Sequence, residues 1–104
     1  MSGVTLISRI PLISAEMERK ASAVVSKTVA DIKANAQGRV PVDTGALKNS
    51  ISSRAEALSG EVFTGMEYAE YVEYGTSRMA GRPYMIPAAE QARAGFIAAM
   101  KRIV

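Results

Sequence analysis

The chain has 104 residues, 48% of them hydrophobic and 22% charged, with a net charge of +3 and neither cysteine nor histidine. That length fits one domain spanning residues 1–104, and the composition fits a folded chain rather than a disordered one. The missing residue types exclude a disulfide framework, thiolate chemistry and imidazole-based acid–base or metal chemistry. No apolar run approaches the ~20 residues that span a bilayer, and Arg9 interrupts the short apolar N-terminal patch, so neither a membrane span nor a signal peptide is expected.

In chain order, residues 14–37 have the period of a long amphipathic helix. Ser14 is the expected N-cap; Ile13, Met17, Ala21, Val24, Thr28 and Ile32 recur every three or four positions, and Val25 and Val29 widen the stripe. Gly38 is the expected stop, with Pro41 just beyond it. The stretch Val40-Pro41-Val42-Asp43-Thr44-Gly45 then forces a sharp turn. Asp43 or Thr44 is expected to cap a short helical turn through Lys48, while Pro41 fixes the approach and Gly45 permits a tight backbone or a close neighbour.

Residues 51–57 and 61–64 read as two strands joined at Ser59-Gly60. Residues 67–74 read as a short helix ended by Gly75, with Tyr68, Tyr71 and Val72 on one face and Glu67, Glu70 and Glu73 on a solvated opposite face. Residues 76–86 read as a loop, flexible enough to mould to a neighbour. Pro87 is the expected first residue of a last helix carrying Ala89, Ala92, Phe96, Ala99 and Ile103 on one face, with Met100 beside them.

Three chemistries are suggested by isolated motifs and weakened by context. Asp43-Thr44-Gly45 matches the aspartic-protease triplet, but that chemistry needs two carboxylates sharing a proton in a β-rich fold, and Pro41 stands where a strand would need its N–H. Glu67, Glu70 and Glu73 are too few for an oxygen-only metal site. The four tyrosines with Arg78 and Arg82 could stack nucleic acid, yet three nearby glutamates would repel phosphate. Tyr, Arg and Met are equally the anchors of protein interfaces. No catalytic residue, metal ligand, cofactor or small-molecule substrate is therefore predicted. Tyr68, Tyr71, Arg78, Met79, Arg82 and Tyr84 are the expected subunit contacts.

Three ordered segments carry a family resemblance: Val42 to Ile51 ("VDTGALKNSI"), Tyr68 to Thr76 ("YAEYVEYGT") and Met79 to Ala88 ("MAGRPYMIPA"). Together with the long first helix they resemble the gene-product-ten-like family of tailed-phage neck and tail-completion proteins of lambdoid phages. The departures are Gly81, where alanine is usual, and Tyr84, where phenylalanine is frequent. The resemblance implies an α+β fold, with two long helices packed on a small antiparallel sheet and a short additional helix. It implies a virion structural protein of the head–tail junction, assembled in the host cytoplasm, not an enzyme. It would form a homo-oligomeric ring around the DNA channel, between a head-side connector and the tail terminator or tail tube, with genomic DNA passing through the lumen without specific binding. The uneven charge, +4 over residues 1–54 (eight Lys/Arg, four Asp/Glu) and −1 over 55–104 (five against six), suits head-to-tail packing of like subunits. The competing expectation is a small basic nucleic-acid-binding module using Arg19, Lys20, Lys27 and Lys33 of the first helix.

Overall fold

A computed structural model of the chain describes residues 2–7, 14–41 and 45–103. The order of elements is β1 (Ser2–Ile7), α1 (Ala15–Arg39), α2 (Gly45–Ser50), β2 (Ser52–Glu56), β3 (Ser59–Thr64), α3 (Ala69–Tyr74) and α4 (Met85–Ile103). The fold is α+β, as the resemblance implies: two long helices lie on a three-stranded antiparallel sheet with strand order β1-β3-β2. Asp43, Thr44 and Ile13 lie outside the described residues.

Helix α1 starts where its N-cap predicts: the Ser14 hydroxyl accepts the Met17 N–H at 3.1 Å. It does not stop at Gly38. It continues to Arg39, and the Val40 N–H closes the last turn on the Ala36 carbonyl. At about 1.5 Å per residue the helix is roughly 37 Å long, and it sets the long dimension of a molecule measuring 52 × 20 × 18 Å. Its buried stripe is Ala21, Val25, Thr28, Val29, Ile32 and Ala36, and the Thr28 hydroxyl is accommodated by donating to the Val24 carbonyl. The core continues through Val40, Leu47, Ile51, Val62, Ala69, Tyr84, Met85 and Ala88.

The hairpin turns two residues earlier than expected. Strands β2 and β3 are joined by Ala57-Leu58, and Ser59 and Gly60 belong to β3. Ala57 occupies the left-handed region (φ 44°), which costs a residue with a Cβ roughly 1–2 kcal/mol. Gly60 serves packing instead. A Cβ placed there would lie 2.4 Å from Val29 Cγ2 and 3.2 Å from the Arg54 carbonyl oxygen, so the missing side chain lets α1 settle onto the sheet. Strand β1, too short to show a period in the sequence, pairs with β3 in the register Val4↔Val62 and Leu6↔Gly60. Residues directly opposite share a face, so Val4 and Leu6 join Gly60, Val62 and Thr64 on the helix side. The other face carries Arg54, ion-paired with Glu61 and lying over the Phe63 ring at 5.0 Å.

The last helix begins at Met85, so Pro87 is its third residue rather than its first. Proline is tolerated at either position, because the N–H groups of the first turn have no intrahelical acceptor. Along α4 only Met85, Ala88 and Met100 are buried. Ala89, Ala92, Phe96, Ala99 and Ile103, the expected packing face, are only partly covered. A polar cluster ties α4 to α1: Arg39 donates to Asn35 Oδ1 (2.6 Å) and to Gln91 Oε1 (2.7 Å), and Asn35 donates to Gln91 Oε1 (2.9 Å).

The contact at Gly60 gives a direct test of the helix–sheet fit. Gly60→Ala should destabilise the fold by about 1–3 kcal/mol through overpacking, seen as a lower urea midpoint. Adding Val29→Ala should recover part of that loss, because it removes the colliding methyl; strictly additive costs would show that the collision is not the cause.

Candidate functional site

Helix α3 and the loop that follows it present the most unusual surface of the molecule. Of the large apolar side chains exposed on the described surface, three cluster here: Tyr71 (63% exposed), Tyr74 (69%) and Met79 (71%). Their exposure follows from how α3 is turned. Ala69 and Glu73 are buried, and Tyr68 and Val72 pack against the core, which leaves Glu70, Tyr71 and Tyr74 outward. The expected division, with Glu67, Glu70 and Glu73 sharing a solvated face, therefore fails at Glu73.

Glu73 is only 3% exposed, because its carboxylate receives the start of α4. Oε1 accepts the backbone N–H groups of Met85 (2.8 Å) and Tyr84 (3.3 Å), and Oε2 accepts that of Ile86 (3.4 Å). The N-terminal N–H groups of a helix need acceptors, and the positive end of its dipole favours an anion. Residues 81–84, Gly-Arg-Pro-Tyr, contain no capping side chain. The cap comes from α3 instead. Tyr84, expected at the subunit surface, is fully buried, and its hydroxyl donates to the Ala69 carbonyl at 3.5 Å. It belongs to the core and leaves the set of surface candidates.

Between these anchors, residues 75–82 form a tight loop rather than the pliable one expected. Gly75 has φ 84°, and its N–H donates to the Tyr71 carbonyl at 2.8 Å. A Cβ there would lie 2.5 Å from the Gly81 nitrogen, so glycine is required by both conformation and space. The Thr76 N–H donates to the Met79 carbonyl (2.8 Å), and the Thr76 hydroxyl accepts the N–H groups of Arg78 and Met79 (3.2 Å each). The Arg82 N–H closes the loop on the Val72 carbonyl at 2.6 Å.

The result is a shallow concavity of about 190 Å³ in which Pro41, Tyr68, Tyr71, Met79 and Arg82 come together with Val72, Thr76 and Ala80. Arg78 is exposed on the same loop but does not line the concavity. Gly45 lies elsewhere, at the start of α2, and a Cβ there would meet nothing within 4 Å, so the close contact expected of it is absent. Among the described residues, no group of three or more Asp and Glu side chains is arranged to hold a metal ion. None of the described helices is long and apolar enough to cross a membrane.

Residues 5–75, from β1 through the end of α3, match the family model described as "Bacteriophage HK97-gp10, putative tail-component". The chain belongs to this HK97-gp10-like family. The family consists of phage tail-related structural proteins, which places the protein among virion components. The match ends at Gly75, so the loop carrying Arg78, Met79 and Arg82 and the whole of α4 lie beyond it. No curated protein and no solved structure matches the chain.

Because Glu73 accepts backbone donors from the first residues of α4, its removal should act on the fold. Glu73→Ala should cost about 2–3 kcal/mol, as expected when a charged acceptor of several buried donors is lost. Glu70→Ala, one turn away and exposed, should change stability by less than about 0.5 kcal/mol. Equal thermal melting of the two variants would remove the capping role.

Proposed function

We propose that this member of the HK97-gp10-like family acts at the head–tail junction as a neck or tail-completion subunit. It forms a ring around the DNA channel, joined to a head-side connector on one side and the tail terminator or tube on the other. Assembly takes place in the host cytoplasm, and DNA passes through the lumen without specific binding. The observation that carries this reading is the concavity between α3 and loop 75–82. A soluble chain that holds Tyr71 and Met79 in water on a hydrogen-bonded loop has the aromatic and methionine anchors of a protein interface. The loop closes on itself through the bonds of Thr76 and Arg82, and a loop held in this way loses little conformational freedom on docking. Arg82 at the rim, and Arg78 on the same loop, supply charge for orientation. In a ring each subunit offers this surface to a different surface of the next.

The nucleic-acid reading is weaker on the same surface chemistry. Of the four basic residues of α1 that would carry it, Lys20 pairs with Glu16 at 3.3 Å and Lys27 with Asp31 at 2.8 Å, each one turn away. Interleaved carboxylates of this kind do not make a phosphate-binding stripe.

The test is assembly in an infected cell. Tyr71→Asp combined with Met79→Asp replaces two exposed side chains, so the purified variant should melt within ~0.5 kcal/mol of the parent. Complementation of a phage lacking the gene should nevertheless fail, leaving heads and tails unjoined in electron micrographs. Normal yields of complete particles with this variant would refute the proposed contact. A parent protein absent from the head–tail junction of purified particles would refute the placement itself.

A further inference from the structure

A close neighbour accounts for the glycines at positions 3, 60, 75 and 81, where an added Cβ would lie under 3.0 Å from another atom. Gly95 has no such reason. It lies in the interior of α4, where glycine is less favourable than alanine, yet a Cβ there would meet nothing within 4 Å among the described residues. The space it leaves belongs to a groove of about 550 Å³ between α1 and α4, which no strand residue lines. The two helices run antiparallel: Asn35 reaches Gln91 near one end of the groove, and Val24 and Arg102 line the other. Val24, Ala92, Phe96 and Ala99 give it a half-exposed apolar floor, and its rims carry Lys27, Asp31 and Arg102. Among the described residues Arg102 has no ion-pair partner. Lys27 has the exposed Asp31 one turn away, a contact that is readily exchanged.

We propose that this groove receives α3 of a second copy, with Tyr71 and Tyr74 entering over Gly95. The proposal rests on the subunit reading above and names the surface of the next copy that takes the exposed anchors. The two tyrosines are 63% and 69% exposed and three residues apart, so they project from one side of α3. An apolar floor with polar rims suits tyrosine, which joins an apolar ring to a hydroxyl. Asp31 and Asn35 can accept those hydroxyls, and Lys27 or Arg102 can lie over the rings. Charge points the same way. Residues 67–74 include three glutamates and no basic residue. Glu73 is buried, but Glu67 and Glu70 are exposed and have no ion-pair partner among the described residues, which leaves them free to face Arg102 and Lys27. Helix α3 lies beside Pro41, past the end of α1, whereas the groove follows the middle of the helix pair, so a copy does not fill its own groove. Donating and accepting surfaces therefore differ, and such a contact passes from copy to copy and can close into a ring. Gly95 then has a use, because a missing side chain lets an aromatic ring approach the backbone of α4.

Substitutions at Gly95 separate this contact from a role inside the single chain. Gly95→Ala should raise the urea midpoint, since the new Cβ meets nothing and alanine favours the helix. Gly95→Leu should keep at least the parent midpoint and abolish association, because it fills the floor that the tyrosines need. Association can be read by cross-linking, as the chain has no native cysteine. Glu70→Cys marks α3, and Ala98→Cys, one turn from Gly95, marks the α4 rim. Within one chain these positions cannot meet: Glu73 holds Met85, and Ala98 lies roughly 20 Å further along α4, beyond the reach of a disulfide. A mixture of the two variants, at high protein concentration and in purified particles, should give covalent dimers on mild oxidation. Neither variant alone should do so, and a chain carrying both should give a ladder that continues past the dimer. A lower midpoint for Gly95→Ala would show that the chain itself needs this glycine and would overturn the proposal. Cross-links that survive Gly95→Leu, dimers from Glu70→Cys alone, or a ladder that stops at dimers would also overturn it. So would a disulfide from Glu70→Cys to a different virion protein, or a lack of cross-links in particles that contain the protein. None of these touches the head–tail placement, which particles lacking the protein altogether would refute.

Discussion

A carboxylate buried at the start of a helix controls the geometry of the second half of this molecule. Glu73 leaves water only because the first N–H groups of α4 have no acceptor of their own and lie where solvent cannot serve them. Its three backbone contacts fix where α4 begins relative to α3, and the Arg82 N–H bond to the Val72 carbonyl fixes the same junction from the loop side. With both ends held, residues 75–82 are drawn into a short closed loop. Met79 is thus displayed by an indirect route: a cap satisfied across two elements leaves a short, closed loop whose tip has no interior to enter.

Much of the architecture was legible because periodicity reports burial. The stripe from Ala21 to Ile32 marked α1, and Ser14 marked its beginning. The failures share one cause: a residue whose local chemistry suggested one role was claimed by tertiary structure for another. Gly60 follows a serine and looks like turn chemistry, but its missing side chain is needed under Val29, and the turn falls to Ala57 despite the backbone strain. Gly38 looks like a helix stop, yet the Val40 N–H beyond it still donates to the Ala36 carbonyl and continues the ladder. Glu73 sits three residues from Glu70 and six from Glu67, the spacing of a solvated face, and only its partner 12 residues ahead reveals otherwise. A signal was available, since a final helix preceded by Gly-Arg-Pro-Tyr has no local cap and must find an acceptor elsewhere. Strand β1 went unread because two inward residues, Val4 and Leu6, are too few to establish a period.

The candidate surface divides in the same way. Residue type alone groups Tyr68, Tyr71, Met79 and Arg82, and the fold brings them to one concavity. Tyr84 was grouped with them on the same ground and is buried. Composition identifies which residues could serve an interface, but the rotation of α3 decides which of them reach it. That rotation is set by Ala69 and Glu73, residues with no interface character.

A cleft of about 200 Å³, lined by Val4, Leu6, Ala92 and Phe96 among others, stays open between β1 and α4, which raises the question of why α4 does not tilt inward and close it. Helix α4 is held at three levels: Glu73 at its first residues, the Asn35–Arg39–Gln91 cluster at its second turn, and the buried Met100 near its end. Moving α4 toward β1 would draw its first N–H groups away from the buried Glu73 carboxylate, a loss of about 1.5–3 kcal/mol, whereas the exposed Asn35–Arg39–Gln91 bonds would oppose it only weakly. Burying the half-exposed alanines of its inner face would return little, because alanine offers little apolar area. The buried Glu73 cap therefore opposes that closure more than the exposed cluster does.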